Sequence, residues 1–108
     1  MLRSLILVAL LVLAPAFARA EDTALTLTIR EHVFNPTEIK VKANTRVQLM
    51  VINEDATPEE FDSSSLKVEK VIAGKSKGVV RIGPLKPGRY PFVGEYHEST
   101  AKGVVIAE

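Results

Sequence analysis

An all-β sandwich of about seven or eight strands is the fold class the sequence predicts, and three observations predict it. Apolar and polar residues alternate with a period of two along several short runs. Turn-forming residues punctuate the chain between those runs, and no stretch beyond residue 20 carries an apolar stripe at the 3.6-residue period of a helix. Many short strands at such spacing must pair into two sheets that bury one face each.

The chain opens with a segment that is not part of that pattern. Met1 to Ala20 carries Arg3, an apolar run from Leu5 to Leu13, Pro15, and the small-x-small ending Ala18-Arg19-Ala20. This is the layout of a secretory signal peptide, so cleavage after Ala20 and a periplasmic location are expected. The apolar run falls short of the roughly 20 residues a membrane helix needs, and no membrane span is expected after cleavage. Residues 21–108 then form one domain. That portion holds 34 apolar residues in 88, with 12 basic and 13 acidic side chains, a formal charge of −1. Such a balance excludes a polybasic nucleic-acid footprint.

Within the domain, Leu25, Leu27 and Ile29 alternate with Thr26, Thr28 and Arg30, which predicts a strand with one buried face. Ile39 and Val41 repeat the alternation after a turn at Asn35-Pro36. The nearly continuous apolar run Val47 to Ile52 predicts a central strand covered on both faces. Further strands are expected at Glu59 to Asp62, Leu66 to Ile72, Lys77 to Ile82, Arg89 to Val93 and Lys102 to Ala107. Turns at Asn44, Asn53 to Pro58, Ala73-Gly74, Gly83-Pro84 and Lys86-Pro87-Gly88 separate them, with Gly88 expected at positive φ. The segment Ser63-Ser64-Ser65 suits a short helical turn. Tyr90 and Phe92 are expected to pack on the core in alternation with polar neighbours.

The chain has no cysteine, which excludes thiol catalysis, iron–sulfur clusters and thiolate metal sites. It has no Gly-x-Ser-x-Gly elbow, and its glycines are spread over separate turns, so neither a hydrolase nucleophile nor a phosphate-cradling loop is present. Two acidic clusters and two histidines remain. In an extended Glu95-Tyr96-His97-Glu98, Glu95 and His97 project to the same side. In Glu59-Glu60-Phe61-Asp62, an inward Phe61 places Glu60 and Asp62 on the opposite face and Glu59 with Phe61. His32 sits beside Glu31 ahead of Phe34-Asn35-Pro36. Taken singly, each cluster reads first as a solvated loop or an ordinary exposed edge.

The order of motifs adds to this. Phe34-Asn35-Pro36, Ile39-x-Val41, Asn44, Pro58-Glu59-Glu60-Phe61, Val71-Ile72-Ala73-Gly74, Pro84-Leu85-Lys86-Pro87-Gly88-x-Tyr90-x-Phe92 and His97-x-x-x-Ala101-x-Gly103-x-Val105 together resemble a cupredoxin-like domain, over residues 25 to 107. The resemblance implies a Greek-key sandwich. It also places Gly94 where blue-copper members have their cysteine, Ala101 where they have methionine, and Glu59 or Glu60 where they have the early histidine. A blue-copper centre is therefore excluded, for want of a thiolate.

The acidic version of the pattern is similar to cysteine-free cupredoxin-like components of bacterial ferrous-iron uptake systems. That resemblance implies a copper or iron ion held by Glu60, Glu95 and His97, with Asp62, His32, Glu98 and Glu59 as further candidates. It implies as partner a membrane permease or another periplasmic iron-uptake protein, and no nucleic acid. Hard oxygen donors with one imidazole suit Fe(II), Fe(III), Cu(II) or Mn(II) over Cu(I). The chain cannot build a multicopper centre from two histidines, so assistance to Fe(II) oxidation is the most enzymatic role expected of it. The alternative is a metal-free sandwich that serves protein contacts.

Overall fold

The computed structural model describes residues 23–108, so the expected signal peptide and its cleavage point lie outside the described residues. Among the described residues the fold is all β, with nine strands and one short 3-10 turn. They run β1 (Thr23–Arg30), β2 (Val33–Asn35), β3 (Glu38–Val41), β4 (Val47–Asn53), β5 (Glu59–Ser63), β6 (Val68–Ile72), β7 (Ser76–Ile82), β8 (Gly88–Gly94), the 3-10 turn Glu95–His97, and β9 (Lys102–Ala107). The strand beyond the expected eight is β2. The two-residue turn Glu31-His32 folds Val33–Asn35 back on β1, pairing Arg30 with Val33 and Thr28 with Asn35.

Two sheets result, ordered β2-β1-β4-β7 and β3-β9-β8-β5-β6. Strands β1 and β4 are parallel, as are β3 and β9, while the remaining pairs are antiparallel. Parallel neighbours cannot be joined by a hairpin, so these pairings are made by crossovers between the sheets. The core alternates inward from both layers: Leu27, Ile29, Leu49, Val51 and Val80 from one, Ile39, Phe61, Phe92 and Val105 from the other. At its centre Phe92 lies 4.9 Å from Phe61 and 5.1 Å from Phe34 between ring centroids, the second pair edge-to-face. Tyr90 packs half-buried against this core and donates its hydroxyl to Lys86 O at 2.7 Å.

Three local expectations are corrected. Strand β4 is central, yet Gln48, Met50 and Ile52 on its second face are only half-buried, because a two-layer sandwich covers each sheet on one side. Ser64 to Lys67 form a turn, closed by Lys67 N–H donating to Ser64 O at 3.2 Å, so β6 starts at Val68. The glycine at positive φ is Gly83 (φ +88°), not Gly88. Gly88 opens β8 in extended conformation, and a Cβ there would make only ordinary contact, 3.6 Å from the Tyr90 ring.

Candidate metal centre

Strand β5 leaves the Asn53 to Pro58 loop with Glu59, Phe61 and Ser63 facing inward and Glu60 and Asp62 outward. The pleat thus decides which glutamate enters the sandwich. Glu59 is 3% exposed, and a carboxylate buried that far must be satisfied by hydrogen bonds or a charge partner. Its Oε1 accepts N–H groups from Tyr96 at 2.9 Å and Glu60 at 3.1 Å. Its Oε2 lies 2.5 Å from Nδ1 of His97, whose side chain is 26% exposed. One oxygen is therefore anchored by backbone, and the other is aimed at an imidazole.

Gly94 and Ala101 make room for that carboxyl. A Cβ on Gly94 would fall 2.7 Å from both Glu59 Cδ and Ala101 Cβ. The position where the family resemblance puts a cysteine is thus filled from the neighbouring strand by Glu59. Gly94 N–H donates to Ala101 O at 2.9 Å and Ala101 N–H donates to His97 O at 2.8 Å, closing the loop that carries His97. Because Glu95–His97 is a 3-10 turn and not extended, Glu95 and His97 do not share a side. His97 turns inward to Glu59, and Glu95 points to the outer face of the sheet.

His32 approaches His97 from the other sheet. The two imidazoles stack with centroids 3.4 Å apart and planes inclined by 12°. Ile29 sits beside Asn53 in the parallel β1–β4 pair, which brings the following turn Glu31-His32 against Asp55. Both turn residues are left-handed, with φ 52° and 59°, a conformation that costs roughly 1 kcal/mol or more for each non-glycine residue. Asp55 offsets this by accepting Glu31 N–H on Oδ1 at 2.7 Å and His32 N–H on Oδ2 at 3.0 Å. Partial burial pushes the Asp55 carboxyl up, but these two backbone hydrogen bonds, together with the attraction of His32 and Lys75, outweigh it, and its pKa is lowered. Buried Asn53 fixes Asp55 in turn: Oδ1 accepts Asp55 N–H at 3.0 Å, while Nδ2 donates to the carbonyls of Thr57 and Ile72.

A second group forms outside. Glu60, Asp62, Glu69 and Glu95 each offer a carboxylate oxygen within 4.8 Å of the others, the one such set of three or more ligating side chains among the described residues. Asp62 and Glu69 are directly opposite in the β5–β6 ladder, a repulsive cross-strand pair. A hydrogen bond that the Glu95 carboxyl donates to Glu60 when protonated, together with the Glu60 charge, raises the pKa of Glu95. The sequence-expected trio Glu60, Glu95 and His97 is thus divided. Glu60, Glu95 and Asp62 lie in the outer set, whereas His97 belongs with Glu59 and His32. Glu98 is exposed at the end of the 3-10 turn and belongs to neither hydrogen-bonded group. Sequence reasoning missed Asp55 and Glu69. Asn53-x-Asp55 is the spacing of an Asx turn, and Glu69 lies at the alternation position that faces Asp62 once the Ser64–Lys67 turn closes a hairpin.

Among the described residues, no helix is long and apolar enough to cross a membrane. A curated relative from Rickettsia prowazekii (strain Madrid E), an uncharacterized protein, is 38% identical over 80 residues, covering 74% of this chain. The matched region spans 64% of that relative's length. Among solved structures, auracyanin A, a blue copper protein from Chloroflexus aurantiacus, superposes with a TM-score of 0.69 at 12% identity, over 81% of this chain and 99% of its own. The metal-binding domain of the Streptococcus pneumoniae Cu(I)-exporting P-type ATPase CopA, with Cu(I), gives 0.67 at 14% identity, over 79% and 84%. At such identities these structures establish the fold alone, one shared with copper-binding proteins. The model of the cupredoxin-like domain family matches residues 3–107, and this cysteine-free chain belongs to that family.

Proposed function

We propose that the protein is a metal-binding, copper-handling component that works in the periplasm, with Glu59 and His97 as the first two ligands of its ion. The observation that carries this is the buried Glu59 carboxylate, one oxygen anchored by two N–H groups and the other pointed at His97 Nδ1. Donors about 2.0–2.2 Å from one ion, at right angles, stand about 3 Å apart. The observed 2.5 Å needs to open by only about half an ångström, so the pair would hold a single ion in place of its hydrogen bond. An oxygen and an imidazole nitrogen favour Cu(II) over Cu(I), and among divalent ions copper forms the most stable complexes with such donors. Transfer of the ion to a membrane permease or to another periplasmic metal-uptake protein is the role this site suits.

The outer carboxylates support a second reading, a place for a harder ion such as iron in the same uptake system. Assistance to Fe(II) oxidation belongs to this reading, and oxygen consumption with copper and Fe(II) supplied together measures it. Titration of metal-free protein with Cu(II) and Fe(II), followed by native mass spectrometry, tests both. Cu(II) is expected to bind one to one below about micromolar, a free energy of about 8 kcal/mol, and to be lost in Glu59→Gln/His97→Ala. Iron binding, if it occurs at the outer set, is lost in Glu60→Gln/Glu95→Gln instead. No Cu(II) binding in wild type, or equal binding in the Glu59/His97 variant, overturns the proposal in favour of a metal-free interaction module.

A further inference from the structure

We infer that the β1–β2 hairpin is built to present His32 as a third, movable ligand, with Asp55 as its positioning residue. This inference rests on the Glu59–His97 reading and adds what selects the ion there. Three observations carry it. The His32 imidazole lies flat on His97, at 3.4 Å and 12°, although the two residues come from different sheets. The turn that delivers it places two non-glycine residues, Glu31 and His32, at positive φ, where Asn-Gly is the favoured pair for a two-residue hairpin loop. A single carboxylate, Asp55, accepts both turn N–H groups and is itself held by Asn53.

Strain in a hairpin that only reversed the chain has no purpose, since Asn-Gly would make the same turn freely. Held by Asp55, the backbone stays fixed and only the His32 side chain needs to move. Two imidazoles stacked face to face cannot both aim an in-plane lone pair at one ion. His32 therefore covers His97 in the metal-free protein and rotates about its side-chain bonds to join the ion beside it. A second imidazole strengthens the preference for copper over manganese, which favours oxygen donors, so His32 is the residue that sets selectivity.

Pulsed EPR on the one-to-one Cu(II) protein counts the coordinated imidazoles. Two are expected in wild type and one in His32→Gln, with Cu(II) affinity reduced about tenfold or more and Mn(II) affinity unchanged. Asp55→Ala is expected to lose the second imidazole from the spectrum. Asp55→Ala/Glu31→Gly restores it, because glycine adopts the turn conformation without the carboxylate. Should Asp55→Ala not fold, Asp55→Asn, which keeps one acceptor for two N–H groups, takes its place. In the metal-free protein, mutual ring-current shifts of the His32 and His97 protons report the stack by NMR and should collapse in the Asp55 variants. One imidazole in wild type, or a His32→Gln protein with unchanged affinity and spectrum, overturns this inference alone. Absence of any Cu(II) binding in wild type overturns it together with the Glu59–His97 reading.

Discussion

Adding one methyl group at Gly94 tests the centre of the structure. In Gly94→Ala the new carbon would lie 2.7 Å from Ala101 Cβ, 2.7 Å from Glu59 Cδ and 2.9 Å from Glu59 Oε1. Carbon atoms rest at about 3.5–4.0 Å, so the methyl intrudes by about 1 Å on two sides of a closed space. Gly94 is buried and tied to Ala101 O through its own N–H, so its backbone cannot retreat freely. Overpacking of this kind costs roughly 1–3 kcal/mol, and at about 4–8 °C per kcal/mol for a domain of this size a loss near 2 kcal/mol lowers Tm by about 8–16 °C. Thermal unfolding followed by circular dichroism measures it. The same change made in a Glu59→Ala background should cost distinctly less, since half of the collision has been removed, and the double-mutant cycle reads that coupling. A Gly94→Ala protein within about 2 °C of wild type, or a penalty identical in both backgrounds, would refute the claim that Glu59 occupies the family's cysteine position.

Other outcomes follow from the same geometry. Gly94→Cys loaded with copper should not acquire the absorption of a copper–thiolate bond while Glu59 is present, which visible spectroscopy checks. Gly83→Ala combines a left-handed φ with a Cβ 2.5 Å from Thr45 O and should cost more than about 1 kcal/mol in chemical denaturation, whereas Gly88→Ala should be nearly neutral. Glu69→Gln relieves the pair with Asp62 and should stabilise the protein by a few tenths to about 1 kcal/mol. The raised pKa of Glu95 means that the folded protein holds this proton more tightly than the unfolded chain. Its contribution is complete below the ordinary value of 4.5 and is lost as pH rises through the higher folded value, so Glu95→Gln should flatten stability against pH there. For Asp55 the sign reverses. Its contribution is complete above 3.8 and is lost as pH falls through the lowered folded value, and Asp55→Asn should remove that part of the acid-unfolding curve.

The parts of the fold that were legible in the sequence are those governed by the two-residue period. Leu27 and Ile29, Ile39 and Val41, and Phe61 between Glu60 and Asp62 all face as alternation requires, because a strand's pleat fixes side-chain direction locally. The misplaced features depend on neighbours. Val47 to Ile52 is apolar on both sides in sequence, yet how much of its second face is covered depends on how many layers the fold has. Glu95 and His97 share a side only in extended chain, and the loop closed by Gly94 and Ala101 winds them into a 3-10 turn. The turn at Glu31-His32 lacks the Asn-Gly signal because its cap, Asp55, is 24 residues away.

The sequence by itself determined the β class, the absence of a thiolate, and the chemistry on offer: carboxylates and two imidazoles. These are properties of residue type and local period, and they need no knowledge of what packs against what. Only the tertiary structure decided which carboxylate belongs to which group. The pleat of β5 sends Glu59 inward beneath Gly94 and Glu60 outward to Asp62, Glu69 and Glu95, while the parallel pairing of β1 with β4 carries His32 over His97. Adjacent glutamates are chemically identical in sequence. Opposite faces of one strand, one buried at 3% exposure and the other only partly buried, make them different groups.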